Sequence, residues 1–432
     1  MRVEPPSQYG PVGGESRDDR VPADSVQPWA IQPRHLSVTM SLSYATLFNS
    51  LPTAFARRGI LRRVLRFSSD LEIFEPGDAA NLKLVGKLRG FRFANSVQAQ
   101  FKRIPVLRRW PALPLFPARL ADHWVARQMR SQWLPPSRIF HGLHSTCLAT
   151  MRTARQLGVR TVLDYSSLHP QVFQQEVLSE CAALGTSPRR CSRLLGNALI
   201  RRIQSEFESC DKIAVLSTSA QRSFQAFPYG HKTVVIFPGT DHRFFTPRES
   251  PHPGDVFRVC YVGRVEAAKG VAYLIDAWNR LGLKNAELVL VGQVYPEIAA
   301  LLSATPSASI RCLGHKSLED ISQCLRGSDL FAFPSVNEGF GVAVLEAMAS
   351  GLPAIACQGA GPADCIVHGR DGFLLPGKSS EALAECILWC SRHRDAAAAM
   401  GRAARKTVEG NFTLAHYEAR LIAMYEALLG GP

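Results

Sequence analysis

No stretch of this sequence stays apolar for the ~20 residues that a bilayer-spanning helix needs. The N-terminus also lacks the basic-then-apolar pattern of a secretory signal. These absences set aside a spanning anchor and an exported protein, and the expected compartment is the cytoplasm. Residues 1–34 are rich in Pro, Gly and charge and read as a disordered tail. There are 11 cysteines but no Cys-x-x-Cys pair. Cys260, Cys312 and Cys357 fall in apolar, strand-like runs, while Cys386 and Cys390 lie four apart on an expected helix. That placement fits reduced, buried thiols acting as small apolar side chains, not a disulfide framework, metal site or redox pair.

Acidic residues are scarce in the first half alone. Residues 1–250 carry 34 Lys+Arg against 18 Asp+Glu, whereas residues 251–432 carry 16 against 18. The net charge of +14 therefore originates upstream. Much of it lies between Arg57 and Arg130, in stretches such as Arg57–Arg63 and Lys102–Trp110, where bases alternate with Leu, Ile and Trp. Interleaving of this kind suits an anionic membrane surface, where each base contributes about 1 kcal/mol. A simply solvated basic face accounts for it equally well. Nucleic acid fits on charge, but no nucleic-acid motif accompanies the charge, so that partner is not expected.

At 432 residues the chain has room for two or three domains of roughly 100–200 residues each. The 46% apolar content is that of a globular protein. The second half alternates strands and helices. Strands are expected over Arg258–Val262, Glu287–Val291 (ending at Gly292), Ile310–Leu313, Leu330–Pro334 and Ala354–Cys357. Helices are expected over Val271–Leu281, from Pro296, and over Leu318–Cys324, Val342–Ser350 and Ser380–Cys390. The strands read as continuous apolar runs, the mark of a parallel sheet covered on both faces. The first half gives a weaker version: strands at Leu36–Leu42, Arg138–Phe140, Arg160–Asp164, Lys212–Leu216 and Thr233–Phe237, with helices around Leu47–Arg57 and Cys191–Glu208. The Pro/Gly-rich segment Arg248–Asp255 is the natural linker. Two such domains leave a cleft at the carboxyl ends of their sheets, where this architecture binds ligands.

The chemistry concentrates at two turns of the second half. After Val262, Gly263 lets the chain turn and a ligand approach the backbone. Arg264 and Lys269 flank the turn, and the following helix N-terminus favours an anion. Glu338 lies in the loop after the next-but-two strand, and Gly339 and Gly341 free the amides around Phe340. Glu346 then falls in a largely apolar helix whose side chains lean back toward its N-terminus. Carboxylates accept from hydroxyls and amides donate to phosphate, so this set suits a polyhydroxylated ligand that also carries phosphate. The bland alternatives are a surface ion pair at Arg264 and a solubilising role for Glu346.

These residues resemble a family, the retaining GT-B glycosyltransferases of family 4. The likeness rests on Gly263-Arg264-Val265-x-x-x-Lys269-Gly270 and on Glu338-Gly339-Phe340-Gly341 followed by Glu346-Ala347. Gly239-Thr240-Asp241 with Phe245 and Pro247, Gly351-Leu352-Pro353, and Asp371–Leu374 agree with it. It is specific from about Asp211 to Phe373 and weak before Arg138. Asp364 departs from the pattern, standing where relatives often have glutamate, which bears on donor selectivity.

The resemblance implies a GT-B fold, two Rossmann-like doubly wound domains facing across a cleft. The tail of residues 1–34 would be followed by an acceptor-side domain over 35–247 and a nucleotide-sugar domain over 248–410. A helix over 411–432 would cross back to the first domain. Arg264 and Lys269 would bind and stabilise the leaving diphosphate, Glu338 would hold sugar hydroxyls, and Glu346 the ribose. The backbone at Gly263, Gly339, Phe340, Gly341 and Val342 would contact sugar and phosphate, with Gly292 and Leu313 (in Cys312–Lys316) toward the base. His169 would face the donor sugar from the first domain, with His141 and His144 as competing positions. No Asp-x-Asp motif is present, and no metal or other cofactor is expected, the two cations serving instead.

The expected partners are a nucleotide-sugar donor, a sugar or lipid-linked acceptor, and an anionic membrane surface at which the protein would be peripheral, on the inner face. The expected activity is retaining sugar transfer in surface polysaccharide or glycolipid synthesis. Alternatives are a transferase with a soluble acceptor, of the sucrose- or trehalose-forming kind, and an inert nucleotide-sugar-binding module.

Overall fold

The computed structural model describes residues 37–42, 55–56, 58, 60–67, 71–76, 82–88, 116–131, 137–185, 195–249, 256–305 and 307–430. The expected tail, the Lys102–Trp110 stretch and most of the expected linker lie outside these residues.

The first sheet is built from β1 (Val38–Leu42), β2 (Leu61–Phe67), β3 (Leu71–Pro76), β4 (Leu82–Leu88), β5 (Ile139–Leu143), β6 (Arg160–Tyr165), β7 (Lys212–Val215) and β8 (Thr233–Val235). Its order is β4-β3-β2-β1-β5-β6-β7-β8. From β2 to β8 neighbours pair in parallel, while β3 runs antiparallel to both β2 and β4. The strands β2–β4 are an addition to the sequence reading. The run Leu61-Arg62-Arg63-Val64-Leu65-Arg66-Phe67 has no clean two-residue alternation, and its arginines drew attention as a charged stretch instead of a strand.

Helices α1 (Phe116–Arg130), α2 (Leu148–Gln156), α3 (Pro170–Ala183), α4 (Asn197–Ser209) and the short α5 (Thr218–Arg222) belong to this half. Asp122 on α1 accepts from the Ala149 and Thr150 amides, both at 2.8 Å, and so caps the start of α2.

The second sheet comprises β9 (Phe257–Val262), β10 (Ala286–Val291), β11 (Ile310–Gly314), β12 (Leu330–Phe333), β13 (Ala354–Cys357) and β14 (Gly372–Leu375), in the order β11-β10-β9-β12-β13-β14. All pairings are parallel. Helices α6 (Val271–Leu281), α7 (Pro296–Ala304), α8 (Leu318–Arg326), α9 (Val342–Ala349), α10 (Ser380–Arg392) and α11 (Arg394–Asn411) accompany it. Val259, Tyr261, Leu288, Leu290, Phe331 and Ile355 are fully buried, as strands covered on both faces require. Cys260, Cys386 and Cys390 belong to the same core. Among the described residues, exposed Cys312 and half-buried Cys324 and the disulfide-bonded Cys181 depart from the expectation of buried, reduced thiols.

The last helix, α12 (Leu414–Leu428), opens on a capping box at Thr413 and leaves the second sheet. Tyr417, Leu421 and Tyr425 are buried against Val38, Met40, Ile139 and Val162 of the first sheet. The Tyr425 hydroxyl lies 2.5 Å from His141 Nδ1, and Glu418 pairs with Arg58. The two halves also meet at their strand ends. Thr218 donates its amide and hydroxyl to Asp364, each at 2.7 Å, and Asn337 Nδ2 donates to the Phe173 carbonyl at 3.1 Å. Among the described residues no helix is long and apolar enough to cross a membrane.

Candidate functional site

In the second sheet the winding reverses between β9 and β12, and a crevice opens where two crossovers leave in opposite directions. The loops after those two strands carry the residues singled out by sequence. Three neighbouring strand ends are laced together beside them. Gly263 donates to the Val291 carbonyl at 2.9 Å, and Gly292 to the Gly314 carbonyl at 2.9 Å. A Cβ on Gly292 would lie 1.8 Å from the Gly263 carbonyl oxygen, so this position tolerates only glycine. Leu313, half-buried, lies just before the end of β11 on the far side of Gly292. Leu313, Gly292 and Gly263 thus follow one another along a single sheet edge.

Lys269 ends a short 3₁₀ turn, Ala267–Lys269, ahead of α6, and is only 8% exposed. Gly270 next to it takes φ +66 and lies so close to the Pro334 carbonyl that a Cβ there would come within 2.1 Å. This contact ties the turn after β9 to the loop after β12. As a result, Lys269 Nζ pairs directly with Glu338 across 69 residues of sequence. The side chains of the pair are 10% and 15% exposed, so a cation and an anion face each other on the floor of the crevice.

Arg264 occupies the same turn but points elsewhere. Its guanidinium pairs with Glu266 at 3.1 Å and lies 4.6 Å from the centre of the Tyr295 ring. Glu266 is 1% exposed, so Arg264 is anchored from below, and its Nε makes no hydrogen bond. The side chain is 39% exposed, which leaves it open to an anion. Glu266 and Tyr295 escaped sequence reasoning, and the pairing shows why Arg264 stands where it does.

Beyond Glu338, Gly341 takes φ +81 and caps α9 without any side-chain acceptor. The first amides of that helix are left for another partner. The Phe340 ring is fully buried, 6.4 Å from Phe237 and 6.2 Å from Phe412 between ring centres. Only the backbone of Phe340 is available to a ligand. Glu346 sits one turn into α9, half-buried, and its carboxylate makes no hydrogen bond to any described residue. Burial pushes its carboxyl up to about 7.

Opposite this loop stands the end of β6. A Cβ on Gly339 would lie 2.0 Å from the Ser166 carbonyl oxygen, so the two halves touch here through backbone alone. The histidine expected at this place is not there. His169 is fully buried as the N-cap of α3: its Nδ1 accepts from Gln171, its Nε2 meets the Tyr229 hydroxyl at 3.1 Å, and its ring stacks on Phe227. The structure thus corrects the expectation that its ring reaches the cleft. Burial lowers its pKa to about 4. His141 is likewise buried, against Tyr425.

His144, the other competing position, lies just past β5 and is half-buried beside Tyr165. A buried charge network holds its loop. Glu206 accepts from the amides of Ser145 and Cys147, and Arg202 pairs with Asp122 at 2.6 Å while donating to the Ser145 carbonyl. The spacing of Arg202 and Glu206, four apart on the inner face of an amphipathic helix, was the signal available in the sequence.

Residues 243–407 match the family described as Glycosyl transferases group 1, and the lysine–glutamate pair and both glycine turns lie within them. This match assigns residues 243–407 of the chain to that family. A lipopolysaccharide core biosynthesis mannosyltransferase of Rhizobium leguminosarum bv. viciae is 32% identical over 236 residues, covering 50% of this chain and 65% of that protein. A capsular polysaccharide biosynthesis glycosyltransferase of Staphylococcus aureus is 29% identical over 40% of this chain and 47% of its own length. Matches to these group 1 relatives therefore span about half to two thirds of the relatives' length. Among solved structures, sucrose-phosphate synthase from Thermosynechococcus elongatus superposes with a TM-score of 0.66 at 18% identity, covering 91% of this chain and 99% of that one. HepE of Anabaena, solved with UDP-glucose, gives 0.59 at 17% identity, covering 91% and 100%. These likenesses give the chain a GT-B fold, with two α/β halves facing across a cleft. Among the described residues no group of three or more His, Cys, Asp or Glu is placed to hold a metal.

Proposed function

We propose that this protein is a retaining glycosyltransferase that moves a sugar from a nucleoside-diphosphate sugar to an acceptor hydroxyl in the synthesis of a surface polysaccharide or glycolipid. The observation that carries the reading is the Lys269–Glu338 pair beside the uncapped amides of α9, at the crevice of the second sheet. A nucleotide would lie along the edge Leu313–Gly292–Gly263, with Glu346 accepting from the ribose. The diphosphate would meet Arg264, Lys269 and the amides of Gly341 and Val342. Glu338, freed from Lys269 as phosphate takes the ammonium, would accept from sugar hydroxyls. The leaving diphosphate gains charge in the transition state, and cations with fixed amide dipoles assist that step without reorganising.

The relatives named for lipopolysaccharide core and capsule synthesis support a glycan or lipid-linked acceptor. The basic first half supports work at the inner face of a membrane. The test is a melt with UDP-, GDP- and ADP-sugars, in which one donor at 100 times its Kd raises stability by about 2.7 kcal/mol. It is paired with an assay for slow donor hydrolysis. If no nucleotide sugar stabilises the fold and none is hydrolysed, the reading fails.

A further inference from the structure

The first half contains a surface that its donor chemistry does not use. Helices α1 and α2 lie side by side and run in the same direction. Asp122, in the first half of α1, holds the start of α2 at Ala149 and Thr150, and Arg130 at the end of α1 reaches Gln156 at the end of α2 at 3.3 Å. Their exposed faces therefore form one strip. Arg119, Arg127 and Arg130 are exposed on α1, and Arg152 and Arg155 on α2. None of the five has a carboxylate partner among the described residues. The two helices contain a single acidic residue between them, Asp122, which is fully buried and committed to the α2 amides and to Arg202. At the border of the strip, Asp211 is already taken by Thr161 and Arg160.

Two leucines mark the ends of the same strip. Leu120 is 48% exposed and Leu157 51%, and both are among the few large apolar side chains left open to water in the described residues. A solvated basic face has no need of them. Arginine is the cation whose fork matches phosphate oxygens, and it is the only fixed cation on this strip. Leucines flanking arginines at the level of phosphate headgroups are what an interfacial protein surface presents.

The strip is also placed for use. α2 begins directly after the loop His144–Cys147 at the end of β5, so the upper ends of both helices adjoin the cleft rim, and their lower ends lead away from it.

We propose that the α1–α2 face is the surface by which this protein docks on a bilayer of anionic phospholipid, with the arginines on headgroup phosphates and Leu120 and Leu157 entering the acyl boundary. This rests on the membrane part of the function proposed above and names the face responsible. With the cleft rim at one end of the strip, a lipid-linked acceptor in that bilayer would reach the first sheet's strand ends without leaving its membrane.

The experiment is flotation of the full chain with vesicles of phosphatidylcholine alone and with 30% phosphatidylglycerol, at low and high salt. The wild type is expected to bind only the anionic vesicles and to be released by salt. Arg119→Gln with Arg127→Gln and Arg130→Gln is expected to weaken binding roughly 100-fold, each lost charge counting about fivefold. Glutamine keeps helix propensity close to that of arginine. Leu120→Ser with Leu157→Ser is expected to weaken vesicle binding severalfold.

Three results would overturn the proposal: a wild type that ignores anionic vesicles, a triple glutamine variant that binds as the wild type does, or a leucine variant with undiminished vesicle binding, which would make the strip a general polyanion surface. Donor-induced stabilisation, measured on the same variants, is expected to stay at the wild-type level. It reports the transferase site independently, so failure of docking and failure of the donor reading are told apart.

Discussion

Lys269 offers the sharpest test of the site. Replacing it with methionine keeps the length of the side chain and removes the charge, leaving Glu338 as a carboxylate with a 15% exposed side chain and no cation on it. Breaking a buried pair costs about 3–5 kcal/mol, and partial access of water to both ends reduces this to roughly 2–3 kcal/mol. Loss of one preorganised group at a developing charge costs about 2.7–4 kcal/mol in the barrier, or 10²–10³-fold in kcat. The two effects separate in the double variant Lys269→Met with Glu338→Gln. Neither buried charge then remains, so stability should return to within about 1 kcal/mol of the wild type. Turnover should not return, because phosphate has lost its ammonium and the sugar its acceptor. Thermal melting and donor hydrolysis on the four proteins of the cycle give both readouts. A double variant that turns over like the wild type would refute the assignment and leave the pair as a structural link between two loops.

Other expectations follow from single contacts. Gly339→Ala places a methyl 2.0 Å from the Ser166 carbonyl oxygen, so the halves must part at a cost of about 1–3 kcal/mol. Turnover should fall at least tenfold and the radius of gyration from small-angle scattering should rise, and an unchanged radius with full activity would contradict the contact. Glu346, with its carboxyl raised from 4.5 to about 7, binds a proton more tightly in the folded chain than in the unfolded one. The cost of ionising it is absent below pH 4.5 and accumulates until pH passes 7, so Glu346→Gln should be more stable than the wild type at pH 8, by up to about 3 kcal/mol, and equal to it at pH 4. The same variant should bind nucleoside diphosphate more weakly, and a stability gain that persists at pH 4 would reject the titration account. Deleting residues 414–432 removes Tyr417, Leu421 and Tyr425 from the first half's core, and unchanged activity and melting in the truncated protein would show that α12 is dispensable.

Much of the second half was legible because its signals are local. Strands buried on both faces must be apolar throughout, so β9, β10, β12 and β13 stand out between polar turns. Gly263, Gly270 and Gly341 announce turns by backbone freedom alone. Arg264, Lys269, Glu338 and Glu346 were recognisable as polar residues beside those turns.

The first half hid β2 behind arginines and gave β3 and β4 no marked signal, since in strands the decisive pattern is pairing with a neighbour, which sequence spacing does not reveal. His169 followed by proline after a strand gave the right local setting for a cleft residue. The aromatic surroundings of Phe227, Phe224 and Tyr229, more than 50 residues downstream, instead drew the ring into the core.

The sequence by itself determined two α/β halves, a glycine-and-cation turn and a glycine-and-carboxylate turn, because each depends on residues only a few positions apart. The tertiary structure alone decided that Lys269 reaches Glu338 while Arg264 rests on Glu266 and Tyr295. It alone also decided that the Ser166 backbone meets Gly339 and that the His169 ring is buried against Phe227. The physical reason is the order of the strands: placing β9 beside β12 and turning one sheet's edge toward the other brings together side chains that the chain keeps 69 or more residues apart.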